Sequence, residues 1–328
     1  MLSQKPGTTS SGFAGFLKSI RRTNKDAKLS RHPAGNTIND IECDWVRHSA
    51  LKLAFEGDFK APLQRLLQAG GNEVLDIGCG SGFWTMDMAT KYRLSHFTGI
   101  DVDKNILPTN NVPKNLRFYQ VNLVDTPLPF EDSTFDYIFI RAMISTLPDE
   151  AWDSVLNELV RIMKKGAYIE CIEAYPDLFE AGPAMTTIMN LNHSRATPEA
   201  SVSNGSSSSQ MAADQPSHPH VANQNPWPNR LAACNQLVGM QIKHTHTPVG
   251  AHGGAVGTLL LEYWDRYIQL QKPIWIQNKM ISESELKNTL KVLHKEIEEN
   301  KTYMSWYSVT AQKRGYNGPL IQFSDADA

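Results

Sequence analysis

Ten residues constrain this chain more than any others: Glu73-Val74-Leu75-Asp76-Ile77-Gly78-Cys79-Gly80-Ser81-Gly82. A short apolar and β-branched run carries an acid near its end, and a glycine-rich turn follows at once. Phe83-Trp84-Thr85-Met86-Asp87-Met88-Ala89 then reads as the opening of a helix. Strand, glycine turn and helix in that order make a nucleotide-binding start, because the turn and the helix N-terminus offer backbone N–H groups to a ligand. Glycine permits both the tight turn and a close approach of backbone to ligand. Further on, Phe97-Thr98-Gly99-Ile100 is a second buried strand that ends at Asp101, with Val102 next. A carboxylate at that place is positioned to accept hydrogen bonds from ribose hydroxyls.

Two cofactor classes share this geometry. The dinucleotide fingerprint is G-x-G-x-x-G. Gly78 and Gly80 fit it, but Phe83 stands where the next glycine belongs. The glycine falls one place early, at Gly82, and Asp76 sits two residues before Gly78. The resulting Asp-x-Gly-x-Gly-x-Gly resembles motif I of the class I S-adenosylmethionine-dependent methyltransferases. That resemblance implies an S-adenosyl-L-methionine site built from Asp76, Gly78, Cys79, Gly80, Gly82, Asp101 and Val102. The competing explanation is an ordinary strand-turn-helix crossover with glycines for tightness.

The following segments extend the pattern. Leu116–Val121 reads as a third strand, so Asn122 and Leu123 fall at its C-terminal end, where ligands lie in an open α/β sheet. They are candidates for the adenine edge and face. Tyr137–Arg141 is a fourth buried strand. A helix opens at Pro148 or Asp149, with Trp152, Val155, Leu156, Leu159, Val160 and Met163 at helical spacing. Lys164-Lys165-Gly166 is expected to end it, and Ala167–Glu173 to form the fifth strand. The resemblance now covers most of residues 36–175. The L-P-F-x-D-x-x-F-D run from Leu128, the E-L-x-R-x-x-K-x-G helix end from Glu158 and the strand finishing in Glu173 look like the class I methyltransferase fold. It implies a Rossmann-like, doubly wound, mostly parallel seven-stranded α/β sheet with added helices. Phe55-Glu56-Gly57-Asp58-Phe59 and the Trp84 that follows the glycine loop resemble the fungal branch containing the velvet-associated regulator and related small-molecule methyltransferases. One departure is Asn122, where many relatives carry an acid; an amide can both donate and accept, so an adenine contact survives.

Around this centre the chain is uneven. Residues 1–35 read as a flexible basic tail. Its first 31 residues carry seven Lys and Arg against one acid, Asp26, and its apolar residues are spaced for one face of a short helix. A solvated tail, a membrane-surface or partner-binding helix and a mitochondrial presequence all fit that composition. The expected methyltransferase domain spans 36–320, with 321–328 a flexible end. Residues 36–70 look helical with one apolar face, either as plain packing on the sheet or as a lid that brings Arg47 or His48 to the cofactor's carboxylate. Residues 193–226 contain no Leu, Ile, Phe, Tyr or Trp. Such a stretch cannot bury enough apolar surface to offset its ordering entropy and reads as a disordered insertion. His218-x-His220 within it lacks further ligands at metal-site spacing. Beyond it, Leu231, Cys234, Leu237 and Val238 suggest a helix ending at Gly239, and Met240–Val249 a sixth strand. Gly250–Gly257 is a glycine-rich loop without the Lys-Ser/Thr of a phosphate loop. Helices near 256–271 and 282–300 and a final strand at Tyr303–Ala311 complete the pattern.

Composition excludes several classes. The net charge of −2 gives no whole-chain argument for nucleic acid or membrane. Four scattered cysteines without C-x-x-C point to a reducing compartment, cytoplasmic or nuclear, with mitochondrial targeting left open by the tail. No apolar run approaches the ~20 residues that span a bilayer. If the cofactor is a sulfonium, it is already electrophilic and the protein's main task is positioning; a base is needed only when the acceptor must lose a proton. Glu173, at the end of the fifth strand, is then the first catalytic candidate. Arg141, ending the fourth, is a cofactor candidate, and Tyr175, His244, His246 and His252 are candidates for the acceptor wall. No metal site is expected. The acceptor is a small molecule or a protein, and the tail or insertion is where a protein partner would bind. A regulatory protein that binds cofactor without turnover is the alternative from another class; Phe83 argues against a nicotinamide oxidoreductase.

Overall fold

The computed structural model describes residues 38–144, 146–147, 150–193 and 226–315. The readings placed on the tail, on all but the two ends of the 193–226 stretch (with its His218-x-His220) and on the C-terminal end lie outside these residues. Seven strands form one sheet: β1 (Glu73–Ile77), β2 (His96–Asp101), β3 (Leu116–Gln120), β4 (Phe135–Arg141), β5 (Met163–Phe179), β6 (Leu237–Pro248) and β7 (Tyr303–Lys313). Their order is β3-β2-β1-β4-β5-β7-β6. The first five run parallel, and β7 is antiparallel to both of its neighbours. This is the doubly wound, mostly parallel sheet expected above. β1 lies between β2 and β4 and is buried on both sides, which is why its apolar run is nearly unbroken.

Helices cover both faces. One face carries α1 (Ile38–Ala54), α2 (Gln64–Ala69), α3 (Phe83–Lys91), α5 (Pro183–His193), α7 (Gly254–Gln277) and α8 (Glu283–Asn300). Val74, Tyr137, Phe139 and Ile172 point into that layer against Trp84, Met185, Leu260, Trp264 and Leu293. The other face carries α4 (Ala151–Ile162) and α6 (Pro226–Ala233), where Leu75, Ile77, Ile138 and Ile140 meet Trp152, Leu159, Trp227 and Leu231. Alternate strand residues thus feed separate apolar layers. Among the described residues no helix is long and apolar enough to cross a membrane.

Three local expectations are corrected. The helix before the fifth strand stops at Ile162, so Met163-Lys164-Lys165-Gly166 belongs to β5. The cation that satisfies the helix end comes from elsewhere: Lys313 Nζ of β7 donates to the Val160 and Met163 carbonyls at 2.6 and 2.8 Å. Lys164 turns instead to Asp136, at 2.7 Å. Second, Leu237 and Val238 open β6 rather than ending a helix. Gly239, at φ +63°, sits where the pairing with β7 shifts register, so it serves a bulge and not a helix cap. Third, the glycine-rich 250–257 stretch is mostly helix: a 3-10 turn (Ala251–Gly253) leads into α7. Gly257 is required there, since a Cβ would lie 2.1 Å from the Gly250 carbonyl oxygen.

Candidate functional site

The turn between β1 and α3 is drawn down onto β2. The Cys79 N–H donates to the Ile100 carbonyl at 2.9 Å, and the Gly80 N–H to Asp101 Oδ2 at 3.0 Å. The other carboxylate oxygen of Asp101 accepts the Asp103 N–H at 3.0 Å. Gly78, Gly80 and Gly82 hold φ of +64°, +54° and +69°, a region that L side chains rarely adopt. A Cβ on Gly82 or on Gly99 would fall 2.6 Å from the Phe118 ring, so this aromatic side chain of β3 lies across both glycines. Beneath the turn, Asp76 is 4% exposed and accepts from the Thr85 hydroxyl. Burial pushes its pKa up to about 7. Burial likewise raises the Cys79 thiol far above its usual range, which makes it a packed and not a reactive group.

At the ends of β2 and β3 the surface is apolar and open. Val102, Tyr119 and Val124 are each about half exposed, while Leu123 is buried. Asn122 Oδ1 accepts the Val124 N–H at 3.4 Å in a short turn.

Helix α1 crosses above the glycine turn and contributes one polar side chain after another. Asp44 accepts from Arg47 at 2.7 Å and from the Ser81 N–H at 3.3 Å. Burial alone would raise the Asp44 pKa, but the Arg47 and Arg141 charges outweigh it and hold the group ionised. Arg141, at the end of β4, points both terminal nitrogens at His48 Nδ1, 3.3 Å away. His48 must therefore accept at Nδ1 and carry its proton at Nε2, which donates to Asp87 at 3.1 Å. Burial pushes the His48 pKa down, so it is neutral. Burial, reinforced by the neighbouring Arg47 charge, pushes the Arg141 pKa down to about 10. Lys52 then bridges Asp87 and Asp58, and Lys91 reaches Asp58 from α3. Two buried polar atoms beside the turn, the Ser81 hydroxyl and Arg47 Nε, find no partner.

β5 runs on past the expected end at Glu173 to Phe179, and at Glu173, just beyond its last pairing with β4, the picture differs. Glu173 is 2% exposed. Its Oε1 accepts from the Met143 N–H at 2.7 Å, the Ile144 N–H at 3.0 Å and Trp227 Nε1 at 3.3 Å. Burial pushes its pKa up to about 7. These contacts are those of a carboxylate that ties down a loop, the alternative to a base exchanging protons with an acceptor. Tyr175 meets His244 at 3.2 Å, His246 meets Ser305 Oγ at 2.7 Å, and His252 meets Glu298 at 3.2 Å. His244 and His246 lie on β6, four strand positions from β1, or roughly 19 Å at ~4.8 Å per strand. His244 and His246 therefore do not join the glycine turn, whereas His48 and Arg47 do. Sequence reading missed Asp44, Met143 and the Lys52–Asp58–Asp87 network. Asp44 had a signal, an acid three residues before Arg47 on a helix; Met143 had none.

Residues 74–166 match the family model described as a methyltransferase domain. The chain is similar to "Methyltransferase str2" of Strobilurus tenacellus, 30% identical over 145 residues, which are 43% of this chain and 51% of that protein. It is similar to the "Demethylmenaquinone methyltransferase" of Lactococcus lactis, 29% identical over 161 residues, 46% of this chain and 62% of the other. The chain thus spans about half to three-fifths of the length of these curated relatives. Among solved structures, a phosphoethanolamine methyltransferase of Haemonchus contortus with S-adenosylhomocysteine aligns at TM-score 0.43 and 15% identity, covering 83% of this chain and 58% of that one.

Proposed function

We propose that this chain is an S-adenosyl-L-methionine-dependent methyltransferase with a small-molecule acceptor. The observation that carries it is the glycine turn of a matched methyltransferase domain closed onto Asp101, with buried cations arranged above it. The residues fit the cofactor. Among the described residues Arg141 finds a hydrogen-bond partner only in a neutral imidazole, and Arg47 Nε is buried without one. Arg47 already has the Asp44 carboxylate on its terminal nitrogen, but its Nε and the whole Arg141 guanidinium have none, and a buried cation is costly until it is paired, so a ligand carboxylate suits the place. The Ser81 hydroxyl and the backbone of Gly78–Gly80 suit the same amino-acid end. Asp101 accepts the Gly80 and Asp103 N–H groups, and as a carboxylate that accepts at more than one site per oxygen it is the acid we assign to the ribose hydroxyls. Val102 and Leu123 offer apolar faces to a purine, with Asn122 at its edge.

The chemistry such a cofactor supplies when bound is a methyl group on positively charged sulfur. This chain's part is to bind, orient and keep water away. Asp44, held ionised, and the neutral His48 fix the two guanidiniums, and α1 covers the turn. No base is assigned; Glu173 has one of its two oxygens, Oε1, committed to N–H donors. The relatives' names support a small-molecule acceptor and make a quinone-type ring the first compound to try. The narrower branch suggested by Phe55–Phe59 and Trp84 has one supporting contact: Trp84 Nε1 donates to the Asp58 carbonyl at 2.6 Å, so the two motifs form one unit. Titration calorimetry tests the cofactor: S-adenosylhomocysteine should bind and NADH should not. Methyl transfer from labelled cofactor, starting with demethylated quinones, tests the activity. Absence of S-adenosylhomocysteine binding overturns the reading.

A further inference from the structure

The β4 strand ends in a tight reversal. Ala142 adopts φ +54° and donates its N–H to the Ile172 carbonyl at 2.9 Å. The next two N–H groups, of Met143 and Ile144, both fall on Glu173 Oε1. The consequence is where the Met143 side chain lands. A Cβ on Gly78 would lie 2.1 Å from Met143 Sδ and 2.7 Å from its Cε. The thioether therefore packs directly on the first glycine of the turn, from above. The third donor to Glu173 Oε1 is Trp227, which is fully buried on α6 and meets Trp152 of α4 edge-on at 4.7 Å. One carboxylate oxygen thus joins the end of β4 to both helices of the second face.

We propose that Glu173 is a positioning residue for the cofactor site: by collecting the Met143 and Ile144 N–H groups it seats the Met143 thioether on Gly78, and through Met143 it sets cofactor affinity without touching the ligand. This rests on the cofactor reading above for its ligand, but the seat itself is a property of the ligand-free protein. A methionine suits the task, being unbranched and polarizable enough to follow an irregular glycine surface. The φ of Ala142 is unfavourable for an L residue, and the loop's own side-chain bond, from the Thr146 hydroxyl to the Met143 carbonyl at 2.7 Å, leaves the Met143 and Ile144 N–H groups to an outside acceptor. Two bonds from a buried carboxyl oxygen supply the restraint, and losing the acceptor would leave two buried N–H groups unpaired.

The test compares E173Q, which keeps the accepting oxygen, with E173L, which removes it, and with M143A. Hydrogen exchange on ligand-free protein should show the Met143 and Ile144 amides exchanging at least tenfold faster in E173L and near the wild-type rate in E173Q. Titration with S-adenosylhomocysteine should show E173L about tenfold weaker and E173Q within about twofold of wild type. The E173L penalty should largely vanish in the M143A background, since the two act through one contact. If E173L does not fold, E173D withdraws the oxygen by one methylene and should show the same amide signature. Wild-type exchange at both amides in E173L or E173D overturns the proposal, as does an E173L penalty that simply adds to that of M143A. A wild-type protein that ignores S-adenosylhomocysteine would refute the cofactor reading, and the exchange rates would still decide this one. Loss of methyl transfer in E173Q with its binding intact would make Glu173 a base and overturn positioning.

Discussion

Two strands carry an acid after an apolar run, Asp101 at the end of β2 and Glu173 within β5 just past its last pairing with β4, and the two acids behave in opposite ways. Asp101, closing β2, stands beside the half-exposed Val102 and accepts one turn N–H on each oxygen, from Gly80 and from Asp103. Glu173, on β5, is roofed by the β4 reversal and by Trp227, and one oxygen serves three donors. In sequence they look alike: an apolar run and then a carboxylate. What separates them is what crosses above. The end of β2 meets only the glycine turn and leaves Val102 half exposed, whereas Glu173 lies under a loop and a helix from elsewhere in the chain. An acid after an apolar run is open to a ligand only where the surrounding elements leave it a cleft.

The largest effect expected is on the open side. Gly80→Val puts a branched side chain at φ +54°, with its Cβ 3.3 Å from the Asp44 carboxylate. Such a residue in the left-handed region costs at least ~1–2 kcal/mol before any clash, and the displaced turn should lower affinity for S-adenosylhomocysteine by about a hundredfold or more. Wild-type affinity in this variant would remove the glycine turn from the site.

Asp101→Ala comes next. Charge-assisted hydrogen bonds are worth about 1.5–3 kcal/mol each, and ~1.4 kcal/mol is a factor of ten, so affinity should fall roughly ten- to several-hundred-fold. Because Gly80 and Asp103 also lose an acceptor, the melting temperature without ligand should drop as well. Asp101→Asn should lose less of both. Asp103 already accepts from the Asn105 backbone and side chain, so Asp103→Ala should leave affinity close to wild type. Equal losses at 101 and 103 in calorimetry would mean that turn order, and not ribose contact, governs binding.

On the closed side the expected change is in stability. The Glu173 pKa is raised in the folded protein to about 7, from an ordinary 4.5. The proton therefore favours the fold. That contribution is fully present below pH ~4.5 and is lost as pH rises through about 7. Glu173→Gln is neutral throughout, so it should gain on wild type by up to about 3 kcal/mol between pH 5 and 8. Thermal melts across that range would contradict the assignment if the difference between the two proteins stayed constant. The smallest effect belongs to the stretch with no large apolar residues: replacing 194–225 by a short Gly-Ser linker should change melting temperature and affinity little, because closure entropy varies slowly with loop length. A loss of several degrees would show that it packs.

The legible part of this protein was the part built from local chemistry. Gly78, Gly80, Gly82 and Asp101 declare a turn and a strand end by their types and spacing, and the parallel strands declare themselves by unbroken apolar runs. Gly239 shows the limit: a glycine after an apolar run reads equally as a helix cap or a bulge, and only pairing with β7 decides. Lys164-Lys165-Gly166 misled for the same reason, because the cation that caps α4 is Lys313, 150 residues beyond Met163. Met143 was invisible because nothing in its neighbours' identities says that a loop after β4 will lie on a glycine after β1. For His244 and His246 the sequence gives residue type but not that four strand positions separate them from β1.

The placement of β7 has a further consequence for how the chain is made. It follows β6 in sequence, yet it lies between β5 and β6. A ribosome that has released residues up to 300 has delivered both neighbours of a strand that does not exist. β5 then presents a bare edge of backbone donors and acceptors, β6 has no partner in the described sheet, and the carbonyls at the end of α4 lack their lysine. Nascent chains halted in that interval are the ones most open to edge-to-edge association and most in need of a chaperone.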